Sequence, residues 1–412
     1  MAREYRANEI FKPGTYPEHT YVTRRSRTGT YDSLLEEALD TLGFLTSIVG
    51  PSKSGKTVLC ENVIGSGKMI LLSGGDFKEG EDFWTTIANK IGLPIETEST
   101  DANTDEVQGG VKGSAFFVEG QGSIKRSTTQ SYKAKQFTGK DRVIEEFVSN
   151  ELVLVLDDFH YINVDMQLDI AHQLKDAIRK ELRAVVISLP HRADDAIRKN
   201  SDLNARMNFI NIEPWSEEEL KEIPLIGFRK LGVSIREEFA ERLARESITS
   251  PQLMQSICLN LSRVLQVDKD PTVNEVGDAS YLEAAYRKTT SHMDYRDVIN
   301  KLESGPPSRG KQRKSFELQD GRIVDIYEAI VEAIAQDPPT IWIDIEGLKD
   351  RVTKIMKDDA TKLENRKLKE TLKQIQGIVS SHEELYRVLE WKDEKVYILD
   401  PYFLFYLRWG RE

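Results

Sequence analysis

The stretch Gly50-Pro51-Ser52-Lys53-Ser54-Gly55-Lys56-Thr57 limits what this chain can fold into more than any other. It follows the apolar run Gly43–Val49 and leads into Val58–Ile64, a segment suited to a helix. A strand, a G-x-x-x-x-G-K-T loop and a helix, in that order, is the setting a phosphate-binding loop requires. The glycines let backbone N–H groups turn inward at a helix N-terminus, where the partial positive charge favours an anion. In this reading Gly50, Pro51, Ser52, Lys53, Ser54 and Gly55 cradle the phosphates, with Val58 the next contact along the helix. Lys56 reaches the β- and γ-phosphates, and the Thr57 hydroxyl ligates Mg²⁺. The expected ligand is a nucleoside triphosphate, taken as ATP with Mg²⁺.

A second apolar run, Leu152-Val153-Leu154-Val155-Leu156, ends in Asp157-Asp158. Five consecutive apolar residues closing on two acids predict a strand buried on both faces, with carboxylates at its C-terminal edge. That edge is where open α/β sheets bind ligands. The pattern matches a Walker B element: Asp157 is placed to hold Mg²⁺ through a water, and Asp158 to polarise an attacking water as general base. Further strands are expected at Lys68–Ser73 and at Ala184–Leu189, the latter ending in Pro190-His191-Arg192. A polar group at that strand's tip, Ser188 or His191, is the candidate γ-phosphate sensor; a capping role is the other reading.

The remaining segments set the organisation. Residues 1–30 read as an extended polar arm, and its Arg24-Arg25-Ser26-Arg27 cluster as a solvated surface, with a nucleotide or neighbour-subunit contact as the other reading. Apolar residues at helical spacing predict helices at 31–42 and 83–91. Residues 96–138 are polar and glycine-rich and read as an insertion at the surface; its lysines and Arg126 leave a nucleic-acid or partner-binding finger as the alternative. Ser216 and Glu219 form a capping box at the start of a helical region over 215–300. Residues 301–314 contain Gly305-Pro306-Pro307 and a run of basic residues, and read as a linker. Beyond it, three helices and a hairpin centred on Lys392-Asp393-Glu394-Lys395 follow the winged-helix plan over 315–412. The helix expected at 362–376 is locally basic, as a DNA reader would be, while the domain around it is acid-rich.

With 412 residues, 39% hydrophobic and 30% charged, the chain has room for two or three domains with cores. Its net charge of −11 makes any nucleic-acid contact a matter of local basic patches. No apolar run approaches the roughly 20 residues of a membrane span. Met1–Arg6 lead into no signal-like apolar segment, and a cytoplasmic protein with no membrane partner is expected. Cys60 and Cys258 sit in apolar helical contexts and read as core residues.

Over about Tyr31–Val264 the order of these parts resembles the AAA+ branch of P-loop ATPases. The resemblance implies an α/β fold class: a P-loop NTPase with a parallel sheet, divided as a core over 31–214, a helical lid and a C-terminal winged-helix domain. It places Arg206, just before the last strand, where the family has an arginine finger acting on a neighbouring subunit's nucleotide; Arg192 and Arg198 are rivals, and a surface arginine paired with an acid is the other reading. Asp157-Asp158-Phe159-His160 looks like the second motif of the STAND signalling ATPases, and Thr249-Ser250-Pro251 resembles their G-x-P element, with Thr249 in place of the glycine and Pro251 as the nucleotide-facing residue. Origin-recognition and clamp-loader relatives carry a sensor arginine in the matching lid helix; Ser250–Gln255 has none. The implied function is an ATP-dependent, slowly hydrolysing switch that assembles into a homo-oligomer and acts through a protein effector, in defence or DNA-mobility signalling. The alternative is an ATPase that loads on or remodels DNA through its winged helix and insertion.

Overall fold

The computed structural model describes residues 4–77, 82–93, 139–159, 162, 164–189, 205–307, 313–357, 364–381 and 388–411. The insertion expected over 96–138 lies outside the described residues, as do His191, Arg192 and Arg198. Five strands form one parallel sheet: β1 (Leu45–Val49), β2 (Met69–Ser73), β3 (Val153–Asp157), β4 (Arg183–Ser188) and β5 (Met207–Asn211), in the order β2-β3-β4-β1-β5. The near-continuous apolar runs of β1, β3 and β4 follow from their position, since a parallel strand covered on both faces must bury every side chain.

Successive side chains of a strand point to opposite faces, so each run feeds two cores. Leu154, Leu156, Ala184 and Val186 pack with α4 (Phe83–Ile91), α5 (Gly139–Ser149) and α6 (Val164–Ile178). Val153, Val155, Val185 and Ile187 pack with α2 (Tyr31–Asp40) and α3 (Lys56–Ile64). Cys60 lies in this second core and Cys258 in the lid; both are buried, and burial pushes both thiols up. They are core residues, as the sequence suggests.

After β5 come α7 (Glu217–Lys230), α8 (Glu237–Glu246), α9 (Pro251–Val264), α10 (Ser280–Thr290) and α11 (Arg296–Ser304). Ser216 caps α7 with Glu219 in the expected reciprocal box. The C-terminal part holds a short ladder of β6 (Phe316–Glu317) and β7 (Ile323–Val324), then α12 (Ile326–Ile334), β8 (Trp342–Asp344), α13 (Ile345–Ile355) and α14 (Asn365–Ser381). It ends with β9 (Leu389–Lys392), β10 (Lys395–Ile398) and α15 (Pro401–Trp409). The three helices and hairpin read from the sequence are present, and β8 adds a third antiparallel strand in the order β8-β10-β9. The helix expected from Arg322 begins at Ile326, because Asp325 caps it through the Tyr327 and Glu328 N–H groups.

A single apolar cluster runs from a one-turn helix in the arm, α1 (Ala7–Ile10), through α7–α11 into α12–α15. The lid helices and the C-terminal helices therefore share one core. A buried charge cluster reinforces the join: Arg408 of α15 donates to both carboxylate oxygens of Glu246 on α8 at 3.0 and 2.7 Å, and Trp409 Nε1 donates to the same carboxylate at 2.7 Å.

Two expectations for the flanking segments change. The Arg24 side chain is buried, 7% exposed, because its guanidinium is committed to the lid's first turn. It donates to both oxygens of Glu219 at 3.0 and 3.1 Å and to the Glu213 and Pro214 carbonyls at 3.0 and 3.2 Å. Within the linker, residues 301–304 are helical, and Arg313 is tied to Asp325 at 2.7 Å and to the Ser304 carbonyl at 2.6 Å. No helix among the described residues is long and apolar enough to cross a membrane.

Phe11 reaches this core through Gly227 of α7, where a Cβ would run into the Phe11 ring. Overpacking of this kind costs about 1–3 kcal/mol, and the helix propensity regained by alanine is at most about 1 kcal/mol. Gly227→Ala should therefore destabilise the protein by about 1–2 kcal/mol, measured as a lower denaturant midpoint at unchanged slope.

Candidate functional site

The phosphate-binding candidate forms where β1 hands over to α3. Gly50 follows the last residue of β1, and a Cβ there would stand 2.9 Å from the Ile212 Cβ and 3.0 Å from the Ile212 carbonyl. Only glycine lets the chain turn so close to the end of β5. Lys53 and Gly55 both have left-handed backbone, with φ of +58° and +88°. Lys56 opens α3 and is buried at 9% exposure, its ammonium donating to the carbonyls of Gly50 at 3.0 Å and Pro51 at 2.6 Å. Burial pushes this ammonium down to about 8, against the opposing pull of Asp157 and Asp158. The Ser54 hydroxyl is buried in the loop with no partner among the described residues.

Strand order brings the acidic pair to the same edge. Asp157 ends β3, and its Oδ2 accepts from the Thr57 hydroxyl. Its Oδ1 accepts from the Asp158 N–H at 2.8 Å, which fixes both oxygens. Asp158 has φ +53°, and its carbonyl passes so close to Gly74 at the end of β2 that a Cβ there would clash. Burial first, and then the Asp157 carboxylate, raise the Asp158 carboxyl above the usual range, with Lys56 opposing. Ser188 ends β4 in register with Val49, its carbonyl accepts from the Gly50 N–H at 3.3 Å, and its hydroxyl is buried with no partner among the described residues. Thr57 and Asp157 thus present two hard oxygens side by side, a donor set that fits Mg²⁺, which takes one or two protein oxygens and completes its octahedron with water and phosphate.

The arm and lid wall the loop. Trp215 Nε1 donates to the Ser54 carbonyl at 2.8 Å, and the Trp215 ring lies under the Arg24 guanidinium at 4.6 Å. Ser250 caps α9 and its hydroxyl donates to the Lys53 carbonyl at 3.4 Å, while Pro251 stands 3.9 Å from the Cβ position of Gly55. Thr249, which replaces the glycine of the G-x-P pattern, has φ +57°, the left-handed backbone that favours glycine. Together these parts enclose a cleft of about 1140 Å³, whose lining includes Lys12–Thr15, Tyr21, Val58, Gln255 and, from the C-terminal part, Asp400.

The structure gathers Gly50–Val58, Asp157, Asp158, Ser188 and Pro251 at one edge of the sheet. It does not bring Arg206 there. Its carbonyl accepts from Leu45 at the start of β1, at 2.9 Å, which puts Arg206 at the opposite edge, about 17 Å away along β1. His191 is outside the described residues. Sequence reading missed Arg24, Trp215 and Asp400. Trp215 carried a signal, an aromatic just after the last strand of the sheet, but its bond to Ser54 spans 161 positions and no local pattern encodes it.

A parallel sheet in this order, with the loop at the end of β1 and paired acids at the end of β3, is a P-loop nucleoside-triphosphatase fold of the AAA+-like kind. No protein-family model matches the chain, and no curated protein matches it. Among solved structures, a Walker-type ATPase of Pyrococcus abyssi aligns at TM-score 0.47 and 13% identity, over 91% of this chain and 94% of that one. Cdc6p from Pyrobaculum aerophilum aligns at 0.44 and 12%, over 96% and 95%. The ORC2 protein of Aeropyrum pernix aligns at 0.47 and 12%, over 94% and 94%. Likeness at this level carries no inference about ligand, activity or partner.

Losing a hydrogen bond to a loop carbonyl costs about 1 kcal/mol, close to a factor of five in an equilibrium. Trp215→Phe keeps the ring against Arg24 but frees the Ser54 carbonyl. Its affinity for ATP with Mg²⁺ should fall about fivefold by calorimetric titration.

Proposed function

We propose that the chain is an ATP-binding, slowly hydrolysing ATPase that works as a switch by assembling into a homo-oligomer. The division that goes with it is a core over 31–214, a lid and connector over 215–300, and a C-terminal domain over 315–412. The observation that carries the reading is the side-by-side placement of Thr57 and Asp157 behind the buried Lys56. Such a constellation has an obvious use in holding a triphosphate and its metal. Ser52–Gly55 would offer their backbone N–H groups to the phosphates, and Lys56 would leave the Gly50 and Pro51 carbonyls to meet them. Thr57 and Asp157 would hold Mg²⁺, which would supply neutralisation of phosphate charge. Asp158, with its raised proton affinity, takes a proton from the attacking water.

Arg206 is assigned to the neighbour's site. Its position at the far edge of the sheet bars it from its own loop, so a catalytic role requires a second subunit, as for an arginine finger. The DNA-loading reading draws less support: on α14, Arg366 is paired with Glu370 at 3.0 Å and Lys369 with Glu394, which reduces the basic charge available for phosphate contacts.

Three substitutions separate these roles. Lys56→Ala removes charge-assisted hydrogen bonds and should weaken ATP binding by at least about tenfold to hundredfold. Asp158→Asn should leave binding within about twofold and lower turnover about 10²–10⁴-fold. Arg206→Ala should bind ATP normally but lose turnover in the assembled state, by about 10³-fold. Light scattering after size exclusion, with a slowly hydrolysed ATP analogue, should show a larger species than without it. A monomer under both conditions would rule out the switch.

A further inference from the structure

The proposed phosphate loop contains two lysines, and only Lys56 faces its own loop. Lys53 is engaged by the C-terminal part of the chain. Its ammonium lies 2.7 Å from Asp400 Oδ1 and 4.2 Å over the Tyr402 ring, a contact across 347 positions of sequence. Its carbonyl is held by Ser250, the N-cap of α9. Asp400 is buried and rigidly placed. Its Oδ2 accepts from the Tyr295 hydroxyl, and its Oδ1 also accepts from the Tyr402 N–H at 3.1 Å as the N-cap of α15. The Tyr402 hydroxyl in turn meets Ser256 of α9 at 2.9 Å.

We propose that Lys53 is a cation shared between the triphosphate and Asp400. Asp400 is then a positioning residue that sets nucleotide affinity from the C-terminal domain. The proposal rests on the nucleotide reading above. The physical basis is charge competition. A Mg²⁺-bound triphosphate brings net negative charge into a cleft that Asp400 also lines, and both anions draw on one ammonium. A carboxylate at the wall of an anion site opposes the anion unless a cation stands between them. Binding therefore weakens the hold of Asp400 on Lys53, and that hold weakens binding; the two effects are equal by linkage. Because lid and C-terminal helices share one core and the Glu246–Arg408 cluster, the response is a displacement of both together against the sheet.

The test uses the full chain with a slowly hydrolysed ATP analogue and Mg²⁺. Asn caps a helix as well as Asp, and its Nδ2 can donate to the Tyr295 hydroxyl oxygen, so Asp400→Asn removes the charge and keeps the fold. It should bind the analogue about tenfold more tightly, whereas Asp400→Glu, which keeps the charge, should remain near wild type. In a Lys53→Met background the size of the Asp400→Asn effect should differ from its size in the wild type, since the ammonium that couples the two anions is gone. Both native cysteines are buried, so spin labels at Lys90→Cys and Lys373→Cys report the sheet-to-C-terminal distance, and labels at Glu241→Cys and Lys373→Cys report lid to C-terminal helices. The analogue should change the first distance and not the second. Wild-type binding with no effect of Asp400→Asn, or an effect that persists unchanged in Lys53→Met, overturns the shared-cation role alone. A wild-type chain that binds no triphosphate overturns the nucleotide reading as well.

Discussion

The burial of one continuous apolar surface by the arm, the lid and the C-terminal helices is the interaction on which the rest of this molecule depends. Phe11 and Phe228 in the arm and lid, Met254 and Ile257 in α9, and Leu404 and Phe405 in α15 all belong to one core. No helix pair in this set could bury its apolar stripe alone, since a stripe needs a partner face to be taken from water. The sheet has its own two cores, one on each face, and these are separate from the first. The protein is thus two bodies that meet at the end of β1.

Four of the nine left-handed non-glycine residues among those described lie near that meeting point. Lys53, Asp158, Ile248 and Thr249 all adopt left-handed backbone without being glycine, and all lie at the edge where the sheet faces the lid. Each such residue is held only because its surroundings over-determine it. Trp215 grips Ser54, Ser250 grips Lys53, and Asp157 grips both Thr57 and the Asp158 N–H. The loop is held from the sheet side by its acids and from the lid side by side-chain donors. Arg24 ties the arm to the lid's first turn, beside the segment that joins the two bodies.

Much of the fold was legible because its signals are local. A strand buried on both faces is mostly apolar, so β1, with Thr46 and Ser47 its only polar residues, and β3 and β4 read directly. A capping box depends on two residues three positions apart, so the start of α7 read as well. What failed was long-range. In Arg24-Arg25-Ser26-Arg27 the solvated reading holds for Arg25 and Arg27 but not for Arg24, and nothing nearby announces Glu219, 195 positions on. The strand β8 is three residues long, too short to show alternation, and it exists because β10 offers it an edge. The first helix of the C-terminal part was read too early because the Asp325 cap competes with a run of apolar residues ahead of it.

The sequence by itself determined a P-loop at the end of a buried strand, an acidic pair at the end of another and lid helices after the sheet, because each rests on residue types at fixed short spacings. Which groups meet around that loop was decided only by the tertiary structure. The pairing of Lys53 with Asp400, the Trp215 bond to Ser54 and the placing of Arg206 at the far edge all follow from strand order and from the shared core of lid and C-terminal helices. Those arrangements are set by which apolar faces find each other on folding, and the hydrophobic effect that drives them is non-directional, so it leaves no spacing for a reader of the chain to recognise.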